Sequence, residues 1–578
     1  MPGFFSLEAA KQGLQVNETI EACVDEARES YTEQSPDVPL LHIGGERETL
    51  WHKLDHLLYL PILGLTRPRD LYYYQGVGLK ALYGFTYKYL TLEHFLGQLS
   101  RLQVGYAMAD SLAYRYSQAW YPGSSPLVFF TDWHSKPHWC KEASHAGHIT
   151  MWGRTMPGTK QLMLNGINGH LLGGWNYTID THMNQVLVDL EDELSQKLER
   201  PILCNIFDSE GSGLETSQRY AEAQHSYLTI LSRQYGHGLK DFDLLGEWEP
   251  VIDDPSREAV YARWTDPKKA ANDPRQFVLL RPVDRQEPTR IYAGCLPPSL
   301  PAAMTPWLHR QRWADNELQI RNLVKGANLN ANYGYTYQEV PHRTRLRQWD
   351  EAQAKVEVTQ NKIVHRQIAI HHLRQQRQEQ QQVYVQQREE LVQKIVRQRH
   401  QLQERQIQGC ATLRATQSLA RLRRNLDQLD ARSTKRQRRL NHDLYERQTQ
   451  LACLNQELEQ RQARRDAIDT ETLCRERSLE KDQIMLNCQV LLASCHDWAC
   501  SRFFAPAWQN LSLDRATQMI YRKSGTITHH PDRIDIVLDA YRYADQQRYM
   551  AQTCRRFNQA RPRWRDGRLL VFSLHSPD

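Results

Sequence analysis

The sequence predicts an α/β protein built in several parts, on three observations. Short apolar runs bounded by turn residues crowd between positions 124 and 303, helical periodicity precedes them, and a proline-free stretch rich in Gln, Arg, Glu and Leu follows them. At 578 residues the chain is too long for one core. The expected parts are a helical N-terminal region at 1–120, an α/β core at 121–345 with a β-strand insertion at about 235–303, a coiled-coil helical hairpin at 346–482, and an α/β region at 483–578 that packs back on the core.

In the N-terminal region, apolar residues recur at helical spacing through Leu50, Trp51, Leu54, Leu57 and Leu58, and again through Leu92, Phe95, Leu96, Leu99 and Leu102. Gln103-Val104-Gly105 then separates the second run from a helix-compatible stretch at 106–113. Helix, short turn and helix is the outline of a helix-turn-helix DNA reader, but with only the turn glycine to argue from, a helical hairpin packed on its neighbours is the favoured reading.

From Ser124 the period changes to that of strands, with runs at 127–131, 148–152, 161–165 and 174–179. A helix at about 183–198, a buried run at 202–207, a helix at 214–223 and a strand at 227–231 follow. Three strands, helix, strand, helix, strand is the order of a ribonuclease H-like core. One of the four opening runs is then surplus, or two are parts of one bent strand. In that arrangement the first strand lies beside the strand that follows the first helix. Asp132 closes the first run and Asp208 closes the later one. The insertion supplies strand-like runs at 247–251, 259–264, 276–281 and 290–294, after which a helical stretch at 304–327 carries Glu317.

Two strand-end aspartates and a helix-borne glutamate, Asp132, Asp208 and Glu317, are what a two-metal phosphoryl-transfer site requires. Hard divalent cations such as Mg²⁺ or Mn²⁺ take oxygen ligands, and two of them about 3.5–4 Å apart activate an attacking oxygen and neutralise a leaving one. The three acids are therefore the candidate catalytic residues and metal ligands, for two ions.

In the third part, Leu419, Leu422, Leu426 and Leu429, and then Leu451, Leu454 and Leu458, step by three and four as in a coiled-coil seam. Gly409 divides the stretch into near-equal arms, which favours an antiparallel hairpin over a long parallel rod. Arg421, Arg423, Arg424, Arg436, Arg438 and Arg439 concentrate positive charge on it. The tail reads as strands at 533–538 and 568–573 with a helix at 544–558 between them.

Composition limits the function classes. A net charge of +6 and a pI near 8.6 suit a polyanionic partner without requiring one. No apolar run is long enough to span a membrane and residues 1–18 lack signal-peptide zones, so a cytoplasmic protein is expected. Eleven cysteines without a paired C-x-x-C pattern fit a reducing compartment. His134, His138, Cys140, His145 and His148 are crowded but match no zinc spacing, Cys495 and Cys500 read as packing residues, and 169–174 lacks the lysine of a phosphate loop.

Four segments resemble the DDE transposases of bacterial insertion sequences, specifically a group of long chains. The sharpest is Arg312-Trp313-Ala314-Asp315-Asn316-Glu317 followed by Leu329-Asn330-Ala331-Asn332-Tyr333-Gly334-Tyr335. Phe207-Asp208-Ser209-Glu210-Gly211 is similar to the family's Asp-Arg-Glu-Gly with Ser209 for the arginine, and Thr131-Asp132-Trp133-His134 to its Asp-Gly-His with Trp133 for the glycine. Thr91-Leu92-Glu93-His94-Phe95-Leu96 is similar to its Thr-Leu-Glu-Arg-Phe-Leu.

The resemblance implies magnesium-dependent hydrolysis at a transposon end and then attack of the released 3′ hydroxyl on target DNA. Glu210 would support the acids, and Arg312, Arg321 and Lys325 would hold terminal phosphates. It also implies double-stranded DNA as partner, a homodimer or higher oligomer on that DNA, no membrane, and a place at the bacterial nucleoid. Two competing readings are a ribonuclease H-like nuclease that does not join strands, and a catalytically silent DNA-binding or coiled-coil scaffold protein. The silent reading predicts that the three acids need not converge.

Overall fold

The computed structural model describes residues 3, 5–34, 47–73, 87–139, 145–232, 237–334, 336–407 and 413–576. They form two compact units: Met1–Gln338 with Arg475–Asp578, and Glu339–Cys474.

The first unit is organised by one mixed sheet. Its strands are β1 (Leu127–Pro137), β2 (Ala146–Ile149), β3 (Arg154–Gly166), β4 (Leu171–Thr178), β5 (Ile202–Ile206), β6 (Tyr227–Ile230), β7 (Phe242–Leu244), β8 (Glu249–Val251), β9 (Asp254–Trp264), β10 (Gln276–Pro282) and β11 (Arg290–Gly294). The spatial order is β2-β3-β1-β5-β6-β11-β10-β9-β7, with β4 on β3 and β8 on β9. β1, β3 and β4 pair antiparallel, whereas β1, β5 and β6 run parallel. Parallel neighbours need a crossover, and the helix Met183–Leu198 supplies the first one. β2 pairs only with the far end of β3, and the predicted strand at 148–152 ends in a 3₁₀ turn, Thr150–Trp152. The insertion adds no separate layer, because β11 pairs antiparallel with β6 and so extends the core sheet.

The N-terminal helices cover this sheet. Tyr89–Arg101 and Val104–Trp120 are joined by a tight turn in which Gln103 takes φ 53°. The second helix packs on β4, on the helix Val16–Gln34 and on the helix Glu480–Arg502. Only Ala107 and Gln118 of it are exposed, so the pair is built as a packed hairpin with little surface left for a DNA groove.

The helix Glu480–Arg502 corrects the expected hairpin end at 482. The long helices are Arg343–Ile407 and Leu413–Asp466, after which a strand, Leu473–Arg477, pairs with Tyr337–Pro341. Residues 480–482 instead open a new helix that is buried on nearly every face, from Glu480 through Cys495 to Cys500. Its buried polar residues find partners in the core, as where Gln483 donates to the Gly174 carbonyl and Asn487 to the Gly105 carbonyl. The expected packing role of Cys495 and Cys500 holds. At the C-terminal end, Gly525–His529, Arg533–Leu538 and Leu569–Leu574 form a three-stranded sheet with the helix Ala544–Ala560 on the parallel crossover.

The second unit is a helical hairpin. Gln353 accepts from Arg465 and Asn441 accepts from Arg377, and both pairs are symmetric about position 409. The helices are therefore antiparallel partners within one chain; Gly409 itself lies outside the described residues. Val356, Ile363, Ile370, Leu419, Leu440 and Leu444 are buried on the seam. Among the described residues no helix is long and apolar enough to cross a membrane.

Candidate active site

Asp132, Asp208 and Glu317 arrive from three elements and meet around one guanidinium. In the parallel pair, Phe130 stands opposite Ile206, so the residues two positions further along, Asp132 and Asp208, leave the pairing side by side. Asp132 is not at a strand end as expected from the sequence. β1 continues to Pro137 against β3, with Asp132 opposite Met163. What stops at Phe130 is the pairing with β5, and that divergence opens the edge beside Asp132. Asp208 follows β5 and caps the 3₁₀ turn Ser209–Gly211, its carboxylate accepting from the Ser209 N–H at 2.7 Å.

Glu317 ends a π turn, Trp313–Glu317, inserted between the helical pieces Thr305–Arg312 and Leu318–Gly326. Residues five apart on a regular α-helix stand about 140° apart around the axis. A π turn closes with i→i+5 bonds and swings such a pair toward one face. The pair here is Arg312 and Glu317. Fully buried Asn316 donates to the Phe130 carbonyl at 2.8 Å, which ties the turn to β1 two residues before Asp132.

Arg312 Nη1 lies 2.7 Å from Asp132 Oδ2, while its Nη2 lies 2.7 Å from Glu317 Oε1 and 4.0 Å from Asp208 Oδ1. Asp208 and Glu317 thus share one nitrogen, and Asp132 is on its neighbour. This corrects the expectation that Arg312 holds DNA phosphates: its guanidinium is already engaged by carboxylates. Arg321 and Lys325 are exposed, and Arg321 stacks on Trp313 at 4.7 Å. Glu210 pairs with Lys160 at 3.1 Å.

Three carboxylates face one fixed positive charge, so the cluster is electron-rich when all three are ionised. Burial raises the Asp132 carboxyl, Arg312 lowers it, and Asp208 and Glu317 push it back up, leaving it at about 7. The donor set is all oxygen, the chemistry that Mg²⁺ or Mn²⁺ takes. As placed, however, the acids surround a guanidinium, and among the described residues no group of three or more His, Cys, Asp or Glu is arranged to hold a metal ion. The acids match such ions in donor type, and the guanidinium occupies the space between them.

The expectation that follows concerns Arg312→Gln. Removing the counter-charge leaves partly buried acids repelling one another, at a cost of roughly 2 kcal/mol. In chelator the variant should unfold earlier than wild type, and Mg²⁺ should raise its unfolding midpoint more than it raises the wild-type midpoint. Equal responses would remove the acids as ion ligands.

Beneath the acids lies a buried polar chain that sequence reasoning missed. Thr131 donates to Asn205 Oδ1 at 2.7 Å, Asn205 Nδ2 donates to Glu191 at 2.6 Å, and Tyr220 donates to the same Glu191 oxygen. It locks β1, β5 and two helices directly under Asp132. The signal available was a glutamate on the inward stripe of 183–198. Burial pushes the Glu191 carboxyl up from 4.5 to about 8. The folded state therefore binds a proton that the unfolded chain releases above 4.5. This stabilisation is complete below pH 4.5, declines as pH rises toward about 8, and is gone above it. Glu191→Gln, which keeps an acceptor and needs no proton, should flatten that slope in pH-dependent denaturant melts; an unchanged slope would place the titration elsewhere.

No family model and no curated protein matches this chain. The site therefore stands on its own geometry.

Among the described residues the histidine cluster does not assemble as a zinc site. His134 Nε2 pairs with Asn330 Oδ1 at 2.7 Å and His138 Nε2 with Thr159 at 2.6 Å, and Cys140 lies outside the described residues. Burial lowers His134 to about 4 and His138 to about 3, so both are neutral hydrogen-bonding groups. The segment from Leu329 to Tyr333 packs along β1. Lys136 donates to the Ala331 carbonyl at 3.1 Å and to Asp482 at 2.8 Å, Asn332 donates to the Pro137 carbonyl, and the Tyr333 N–H donates to Asp482. Its asparagines thus serve the frame of the site, and Tyr335 lies outside the described residues.

Proposed function

We propose that this chain is a DDE-type DNA transposase with a ribonuclease H-like catalytic core. The observation that carries the reading is the meeting of Asp132, Asp208 and Glu317 around Arg312. The strand order β4-β3-β1-β5-β6 supports it, because that order makes the two aspartate-bearing strands neighbours. Charge also favours a polyanion: positions 339–474 hold 26 Lys and Arg against 17 Asp and Glu, so the hairpin carries all the excess positive charge of the chain.

In this reading the three acids hold two Mg²⁺ or Mn²⁺ ions, which supply activation of the attacking oxygen and neutralisation of the leaving one. The chain's own residues set the geometry. Asp132 and Asp208 are fixed by strand pairing, and Glu317 by the π turn that Asn316 pins to β1. Arg312 holds the acids together and lends its positive charge to that edge of the site. Arg321 and Lys325, exposed further along the same helix, extend that positive edge. The silent DNA-binding reading draws on one observation, that Arg312 fills the space between the acids.

The test is Mg²⁺- or Mn²⁺-dependent cleavage and joining by the full chain on duplexes carrying the ends of its own element. Nicking followed by transfer of the 3′ end to a target supports the transposase. Cleavage without joining points to a nuclease, and binding without cleavage to the silent reading.

A further inference from the structure

β1 does more than carry Asp132. Just past its end stands Trp139, and the 3₁₀ turn between β2 and β3 carries Met151 and Trp152. All three are at least half exposed, Trp139 at 65% and Trp152 at 51%. The two indoles meet edge to face, with centroids 5.3 Å apart and an interplanar angle of 89°. The Arg154 guanidinium lies 5.4 Å from the first ring and 6.0 Å from the second. Asn330 joins this cluster to the site, pairing with His134 and approaching the Met151 sulfur at 4.0 Å.

Two large apolar rings held open to water are costly unless something covers them. Their arrangement suits flat partners: both rings stay at least half exposed, and the guanidinium over them adds a stacking plane with positive charge. The surroundings suit an anion, since Glu142 is the one acidic residue between Asp132 and Asp180. Aromatic faces interleaved with fixed positive charge are what a nucleic-acid strand with unpaired bases engages. Seven residues separate Trp139 from Asp132 along an extended strand, roughly 20 Å at about 3.3 Å per residue.

We infer that Trp139, Trp152 and Arg154 form a stacking platform for unpaired bases of single-stranded DNA leaving the catalytic edge. The inference rests on the reading of the chain as a DNA-processing enzyme. It differs from phosphate contact by the hairpin, because it requires bases.

The probe is a fluorescent oligothymidylate of about 20 nucleotides, compared with an abasic strand of the same length, titrated with the full chain by anisotropy. Wild type should bind the thymidylate at least about tenfold more tightly than the abasic strand. Trp139→Ala/Trp152→Ala should erase that difference without changing binding to a blunt duplex, and Trp139→Phe/Trp152→Phe should keep most of it. Exposed positions tolerate these changes, and a far-UV spectrum checks folding. Equal affinity for both strands in wild type, no binding, or an Ala variant that binds like wild type would overturn the platform. So would loss of self-association in the Ala variant by light scattering with DNA binding intact, which would assign the patch to a second copy. Cleavage and joining on duplex ends, measured on the same protein, separates the failures: intact activity with no base preference sinks the platform alone, and absent activity sinks the parent reading.

Discussion

Asp132→Asn and Glu317→Gln should each lower metal-dependent DNA cleavage by at least about 10³-fold, equivalent to about 4 kcal/mol of transition-state stabilisation. Each replacement keeps shape and an oxygen acceptor, so Arg312 retains hydrogen-bond partners at 2.7 Å positions and the fold should hold. What is lost is a negative oxygen ligand, and a divalent ion feels that loss strongly. DNA binding should persist, because each replacement removes a negative charge and no positive one. Two measurements decide it, rate under single-turnover conditions and affinity by gel shift. Cleavage unchanged in both variants would remove the site, whereas joint loss of binding and cleavage would mean misfolding rather than lost chemistry.

The second large effect is on stability. Asp482→Ala should cost about 3–5 kcal/mol, because it removes the carboxylate that balances two buried cations. Asp482 Oδ1 lies 2.8 Å from Lys136 Nζ and its Oδ2 lies 2.6 Å from Arg477 Nη2, all three side chains being nearly inaccessible. Burial opposes its charge, yet Lys136 and Arg477 hold the Asp482 carboxyl below its ordinary value. Lys136 sits four residues along β1 from Asp132, so this triad anchors β1 to the start of the helix Glu480–Arg502 and to the Leu329–Tyr333 segment. Replacing all three members by apolar residues of similar size, Lys136→Met, Arg477→Met and Asp482→Leu, should recover most of the loss, since unpaired charge rather than missing attraction is the cost. A chemical-denaturation midpoint that moves less than about 1 kcal/mol in Asp482→Ala would show that water reaches the triad.

The part of the site carried by periodicity was legible in the sequence. Alternation and apolar runs depend on nearest neighbours, so the elements 183–198, 202–206, 214–222 and 227–230 stand where the pattern puts them, and the adjacency of the strands leading to Asp132 and Asp208 follows from their order. For the long helices, one glycine midway along a proline-free stretch favoured an antiparallel hairpin over a rod that periodicity allowed as well, and partners symmetric about position 409 decide it.

Where the chain meets distant parts of itself, local pattern is silent. That β1 runs past Asp132 was decided by its long pairing with β3, since a strand ends where its partner ends and not where its apolar run does. That Arg312 turns onto the acids was decided by a π turn, a one-residue insertion with no composition of its own. Glu191, Asn205 and Thr131 look like separate polar residues until three elements bring them together, because a buried polar group needs a partner that sequence distance does not name. The residue types and their order came from the sequence alone. Which charge faces which acid was left to tertiary structure, because electrostatic and hydrogen-bond partners are fixed by packing across the core rather than along the chain.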